Sequence, residues 1–171
     1  MSYAACDNAP LCQRVAQSDI GGGPMHLFSD LCLCIPVADQ KEMKALQPRK
    51  GASSKVCKAA YQKIRTYLEE HRERIWAEPV VTCCLKHPAG LCRAIWKCPQ
   101  GISESQRPMS VSFSGPMCTP WTSQGLQRGD ADQAMVSFHV WITKMMSSDH
   151  DVIWFQNSGI FFGATSKMRC P

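Results

Sequence analysis

A cysteine held between prolines on a loop suits a thiolate that must be aimed at a ligand, and Ser114-Gly115-Pro116-Met117-Cys118-Thr119-Pro120-Trp121-Thr122-Ser123 carries one. Proline fixes φ and stiffens the loop, which favours Cys118 as a nucleophile over the usual role of a thiol as a small buried hydrophobe. A second group of chemistry-bearing residues is Cys83, Cys84, Cys92 and Cys98, with His87 between them. Structural zinc sites favour cysteines paired two to four residues apart. These four lack that spacing, and neighbours such as Cys83 and Cys84 point to opposite faces of a strand. No metal site is expected. Gly21-Gly22-Gly23 follows the polar Gln17-Ser18-Asp19 and not an apolar strand, so it reads as a turn and not as a cofactor loop. His139, among apolar neighbours, reads as a structural histidine, and no serine stands on an elbow with triad partners.

Elements must position Cys118, and the patterning supplies them. Val56, Ala60, Ile64 and Leu68 recur every four residues, Arg65/Glu69 and Glu70/Arg74 form i,i+4 pairs, and Pro79 stops the run. This predicts an amphipathic helix over about Ser54 to Ala77. Val80 to Leu85 reads as a short buried strand, and Gly90 to Lys97 as a short helix. Met109 to Phe113 alternates like a strand and leads into the Cys118 loop. Asp132 is a plausible N-cap for a helix reaching about residue 146, with Met135, Phe138, Trp141, Ile142 and Met145 as its apolar stripe. Asp151 to Phe155 is a further apolar strand. Strand, helix and strand in alternation imply parallel strands with a crossover, and chemistry just past their carboxyl ends. Residues 1–52 show no sustained period and read as an irregular N-terminal extension, with the α/β domain over 53–171.

Composition excludes several classes. Of 171 residues, 44% are apolar and 19% charged, as in a globular chain and not a disordered one. No apolar run is long enough to span a membrane, and Met1-Ser2-Tyr3-Ala4-Ala5-Cys6 lacks the layout of a secretion signal. Eleven irregularly spaced cysteines then point to reduced thiols in an intracellular protein, nuclear or cytoplasmic. The net charge of +5 is concentrated between Lys41 and Ile75, where ten Lys/Arg face four Glu. Such a stretch could track phosphates, although a solvated helix face is the plainer reading.

Gly115-Pro116-Met117-Cys118-Thr119-Pro120-Trp121-Thr122 resembles the nucleophile loop of the DNA (cytosine-5) methyltransferase family. That loop reads Gly-Pro-Pro-Cys, two variable residues, Phe or Trp, then Ser. The resemblance continues in register through Gly125, Arg128, Gly129 and Asp132 to Gln156-Asn157-Ser158, where the family has Glu-Asn-Val, and covers roughly residues 109–163. It implies a partial Rossmann-like methyltransferase sheet, S-adenosylmethionine as methyl donor and DNA as partner. Cys118 would be the position that attacks cytosine C6, and Gln156 the position of the proton donor to N3. Asn157 would anchor the loop, and Pro116, Pro120, Trp121 and Thr122 would shape the wall around a base flipped from the duplex.

Several residues depart from the family. Met117 replaces the proline before the cysteine. Gln156 replaces the glutamate, and an amide has no transferable proton, a loss typically worth ~10²–10⁴ in rate. No Phe-x-Gly-x-Gly turn precedes the Cys118 loop, so no donor site is identifiable. The expectation is a degenerate methyltransferase-like segment that is inactive by itself; the alternative is a non-catalytic nucleic-acid-binding or scaffold protein that keeps the fold.

Overall fold

Ser53 opens the long basic helix, its side chain accepting a hydrogen bond from the Val56 amide at 3.4 Å and so satisfying one of the free N–H groups of the first turn. The computed structural model describes residues 4–7, 9–18, 23–87, 90–94, 111–114, 120, 128–148 and 152–155. In chain order these form β1 (Ala4–Cys6), α1 (Pro10–Gln17), β2 (His26–Phe28), a 3-10 turn (Leu31–Cys34), α2 (Val37–Leu46), α3 (Ser54–Glu70) and α4 (Arg72–Trp76). There follow β3 (Val81–Cys83), β4 (Leu91–Arg93), β5 (Val111–Ser114), a 3-10 turn (Gly129–Ala131), α5 (Ala134–Met146) and β6 (Val152–Phe155). The chain is thus mixed α/β, with three two-stranded sheets among the described residues: β1–β2 parallel, β3–β4 antiparallel and β5–β6 parallel.

The expected β5–α5–β6 unit is present, its strands parallel and in register from Val111↔Val152 to Ser114↔Phe155. Parallel neighbours need a crossover between them, and α5 lies within it. The N-cap of α5 is Gln133 and not the expected Asp132, whose carboxylate, one residue earlier, accepts from the Ala134 amide at 2.9 Å. The buried stripe of α5 differs from the expected one. Met135 and Met145 are buried as expected, together with Val136, His139, Val140, Thr143 and Lys144, while Phe138, Trp141 and Ile142 are half-buried. The reason is the partner: α5 packs on α3, and Met135, Val136 and Val140 join Ile35, Met43, Tyr61, Ile64, Leu68 and Ile75 in one apolar cluster.

Four further expectations are corrected. The helix expected over Ser54 to Ala77 breaks at His71, which leaves helical geometry at φ −101° and ψ 10°. Its Nδ1 lies 2.9 Å from the Tyr67 carbonyl oxygen; a carbonyl only accepts, so the ring holds its proton there and competes with the helix ladder. Arg65 and Glu69 pair as expected at 2.8 Å, but Arg74 turns to Asp39 and not to Glu70, reaching it at 2.6 and 3.1 Å. Residues 90–97 do not open with a helix: Leu91–Arg93 is a strand that pairs with β3, and Gly90 before it takes a φ of +69°, a conformation glycine adopts at little cost. The reading of residues 1–52 as loops also gives way to a β1–α1–β2 unit and to α2. Ile35 and Met43 from this region lie in the same cluster as α3 and α5.

Two buried titratable groups make the helical core sensitive to acid. Asp39 has no exposed surface and accepts from Tyr67 Oη at 2.6 Å as well as from Arg74. Burial pushes its carboxyl up, but the Arg74 and Tyr67 bonds outweigh burial and hold it below its ordinary value. For His139, burial, with the Arg65 guanidinium adding to it, pushes the ring down to about 4. In the unfolded chain that ring takes a proton below about pH 6.5. The unfolded state therefore binds more protons between these values, and stability is full above pH 6.5 and falls as the pH drops toward 4, by roughly 3 kcal/mol. Asp39 adds a further loss at more acidic pH, in the same direction. Urea midpoints measured from pH 7 to pH 4 should fall for the wild-type chain and fall less for His139→Gln. Equal slopes would show that the ring protonates alike in both states.

Candidate functional site

Of the residues singled out for methyltransferase chemistry, Cys118, Gln156, Asn157, Pro116, Trp121 and Thr122 lie outside the described residues, as do Gly21, Gly22 and Cys98. Pro120 is described and fully buried. Its carbonyl accepts from the Gly129 amide at 2.8 Å, and Gly129 holds a φ of +52°, which a glycine tolerates. This bond ties the end of the Cys118 motif to the turn that opens α5. On the strand side, the last residue of β5, Ser114, pairs with the last residue of β6, Phe155. Both strands thus end at one edge.

The basic stretch is less continuous in space than in sequence. Lys58 pairs with Asp130 at 2.8 Å, Arg65 with Glu69 and Arg74 with Asp39. Exposed pairs of the first two kinds add little to stability, but they reduce the positive field along α3. Lys55 and Lys63 remain on its exposed face.

A second constellation comes together where none was expected. His26 on β2, Cys84 at the end of β3, His87 in the following turn and Cys92 on β4 place one ligand atom each within 4.8 Å of all the others. The scaffold that does this is short and heavily bonded. Thr82 pairs with Cys92 across the hairpin, and the Cys84 amide donates to the Gly90 carbonyl at 2.8 Å. The Gly90 amide donates to the His87 carbonyl at 2.8 Å, closing the turn. An isolated antiparallel bridge joins Cys84 to Phe28, and the Leu85 amide donates to the Leu27 carbonyl at 2.8 Å. These contacts seat the hairpin on β2 and so bring in His26.

His87 Nδ1 lies 3.3 Å from the Cys84 sulfur and 3.2 Å from the Cys92 sulfur. The rings of His26 and His87 are 4.9 Å apart at their centroids. Burial pushes the Cys84 thiol up, but the His87 ring, the Leu27 and Lys86 backbone amides and His26 outweigh it and bring it down to about 6. Cys92 is pushed the other way, by burial and by the neighbouring Cys84 sulfur.

The cysteine spacing alone points away from metal, and the four residues that converge are found among the described residues, which do not include Cys98. As expected of strand neighbours, Cys83 is exposed and Cys84 buried. The missed signal is histidine counted together with cysteine: two residues separate Cys84 from His87 and four separate His87 from Cys92, spacings that zinc sites use. His26 comes from far upstream, and only the β2 contact brings it in. Among the described residues, no helix is long and apolar enough to cross a membrane. No family model, no curated protein and no solved structure matches the chain.

Proposed function

We propose that the C-terminal part of the chain is a DNA (cytosine-5) methyltransferase-like segment that keeps the nucleophile position, Cys118, lacks the proton donor at Gln156, and transfers no methyl group by itself. The observation that carries this reading is the in-register parallel pairing of β5 with β6 across α5. In parallel α/β sheets the reacting groups sit just past the carboxyl ends of neighbouring strands. Cys118 follows β5 by four residues and Gln156 follows β6 directly, so strand ends lying side by side support a shared pocket. The Pro120–Gly129 bond supports a stiff approach to it.

In a complete enzyme of this kind the Cys118 position would add to C6 of a flipped cytosine, S-adenosylmethionine would supply a methyl group to C5 and leave as S-adenosylhomocysteine, and loss of the C5 proton would release the thiolate. Gln156 would bind the base edge through its amide without a proton to give. Asn157 would hold its loop, and Pro116, Pro120, Trp121 and Thr122 would form the wall. A full Rossmann-like sheet and a donor site belong to a complete enzyme of this kind. Lys55 and Lys63 on the exposed face of α3 offer contacts to phosphate, the sequence-independent part of DNA binding.

The reading requires Cys118 and residue 156 to lie within about 10 Å, since parallel neighbours are ~4.8 Å apart and both segments leave one edge. A Gln156→Cys variant treated with a short bis-maleimide and mapped by peptide mass spectrometry tests this. The expected product links 118 to 156, with the Cys84–Cys92 link, formed after a chelator has removed any bound metal, as the positive control. Recovery of the control link without the 118–156 link would overturn the shared pocket.

A further inference from the structure

We propose that His26, Cys84, His87 and Cys92 form a tetrahedral site for one Zn(II) ion, which fastens the β3–β4 hairpin to β2. Two sulfurs and two imidazole nitrogens are the donor set of structural zinc sites. At the usual Zn–S distance of about 2.3 Å and Zn–N distance of about 2.0 Å, tetrahedral ligands stand roughly 3.3–3.8 Å from one another. The two contacts of His87 Nδ1 with sulfur, at 3.3 and 3.2 Å, are already near that range, and all four ligand atoms fall within 4.8 Å.

Hydrogen bonding alone serves this arrangement poorly. A ring nitrogen carries either one proton or one lone pair, so His87 Nδ1 can make one good bond to sulfur, yet two sulfurs converge on it. A metal ion among the four atoms replaces both contacts with bonds to itself. The packing also calls for such a fastening. The apolar cluster beneath the site holds Phe28, Cys34, Cys84 and Ala94 as its buried members, and Val81 and Leu91 of the hairpin are more than half exposed. Small units with thin cores commonly depend on a metal or a disulfide. The thiol protons leave to solvent as the ion binds, so no oxidant or reductant is needed.

The site lies outside the β5–β6 edge and does not depend on the methyltransferase reading. The test uses the full 171-residue chain, untagged and kept reduced, with Zn(II) and Co(II) as probes. The wild-type chain should retain about one zinc per chain after gel filtration. Its cobalt form should show the intense visible bands of tetrahedral Co(II) with thiolate-to-cobalt charge transfer in the near ultraviolet. Cys92→Ala and His26→Ala should lose most of the bound metal, and Cys83→Ser, next to the site but exposed, should keep it. Helical circular dichroism from α3 and α5 reports whether each variant still folds. Failure of the folded wild-type chain to bind either ion would overturn the site. Binding that survives both ligand substitutions, or a Cys84–Cys92 disulfide in place of metal, would overturn it equally.

Discussion

Stripped of metal by a chelator under reducing conditions, the chain should lose amide-exchange protection across β2, β3 and β4 while α3 and α5 keep theirs. The expected effect is large because the two parts draw on different sources of stability. A structural zinc ion contributes about 10–16 kcal/mol of apparent binding free energy in small zinc-finger peptides at neutral pH. Burial of Phe28 and a few small side chains beneath the hairpin contributes only a few kcal/mol, at ~25 cal/mol per Å² of apolar surface. The helical part has its own cluster of Ile64, Leu68, Ile75, Met135 and Val140, and Arg74 and Tyr67 both bond to buried Asp39. Opening of the hairpin should therefore be local. Adding zinc back should restore protection, and Cys84→Ser should behave as the stripped chain does with or without zinc. Unchanged hairpin protection after complete chelation would show that strand pairing alone holds it.

The second large effect is an absence: neither the wild-type chain nor Gln156→Glu should methylate DNA. Restoring the carboxyl returns a proton donor, a contribution of ~10²–10⁴ in rate. That gain multiplies a rate that needs the methyl donor held beside C5. Positioning of this kind is the larger contribution, worth about 7–11 kcal/mol in well-oriented reactions. The upstream glycines at 21–23 follow no apolar strand in the sequence, so they offer no recognisable cradle for S-adenosylmethionine. Flipping a cytosine from the duplex also needs binding energy from a DNA-reading surface. The ion pairs of Lys58 and Arg65 with Asp130 and Glu69 leave α3 a weaker one than the ten Lys/Arg between Lys41 and Ile75 suggest.

Legibility in the sequence followed the kind of information each element carries. The start of α3 was readable because a four-residue apolar period and an i,i+4 ion pair are local signals that agree. The parallel β5–β6 pair was readable for the same reason, from two apolar strands with an amphipathic helix between them. By contrast, α2 buries only Asp39 and Met43, and Asp39 looks like a solvent-facing residue until Arg74 and Tyr67 are seen on it. The strand at Leu91–Arg93 is decided by pairing with β3 through a turn that ends at Gly90, a tertiary choice that overrides short-range patterning. The stripe of α5 is displaced because packing on α3 selects which apolar residues go deepest. In the Cys/His cluster, Cys84, His87 and Cys92 have readable spacing, whereas His26 enters only through the β2–hairpin contact. No local rule reaches across that distance.

Label transfer bears most directly on the methyltransferase-like reading. The wild-type chain and Gln156→Glu are incubated with labelled S-adenosylmethionine and cytosine-containing DNA, beside a Cys118→Ser control and a zinc-loaded sample of each. The expected result is no label on the DNA above the Cys118→Ser level in any sample. Label above that control would contradict an inactive segment and show that the N-terminal half holds the methyl donor.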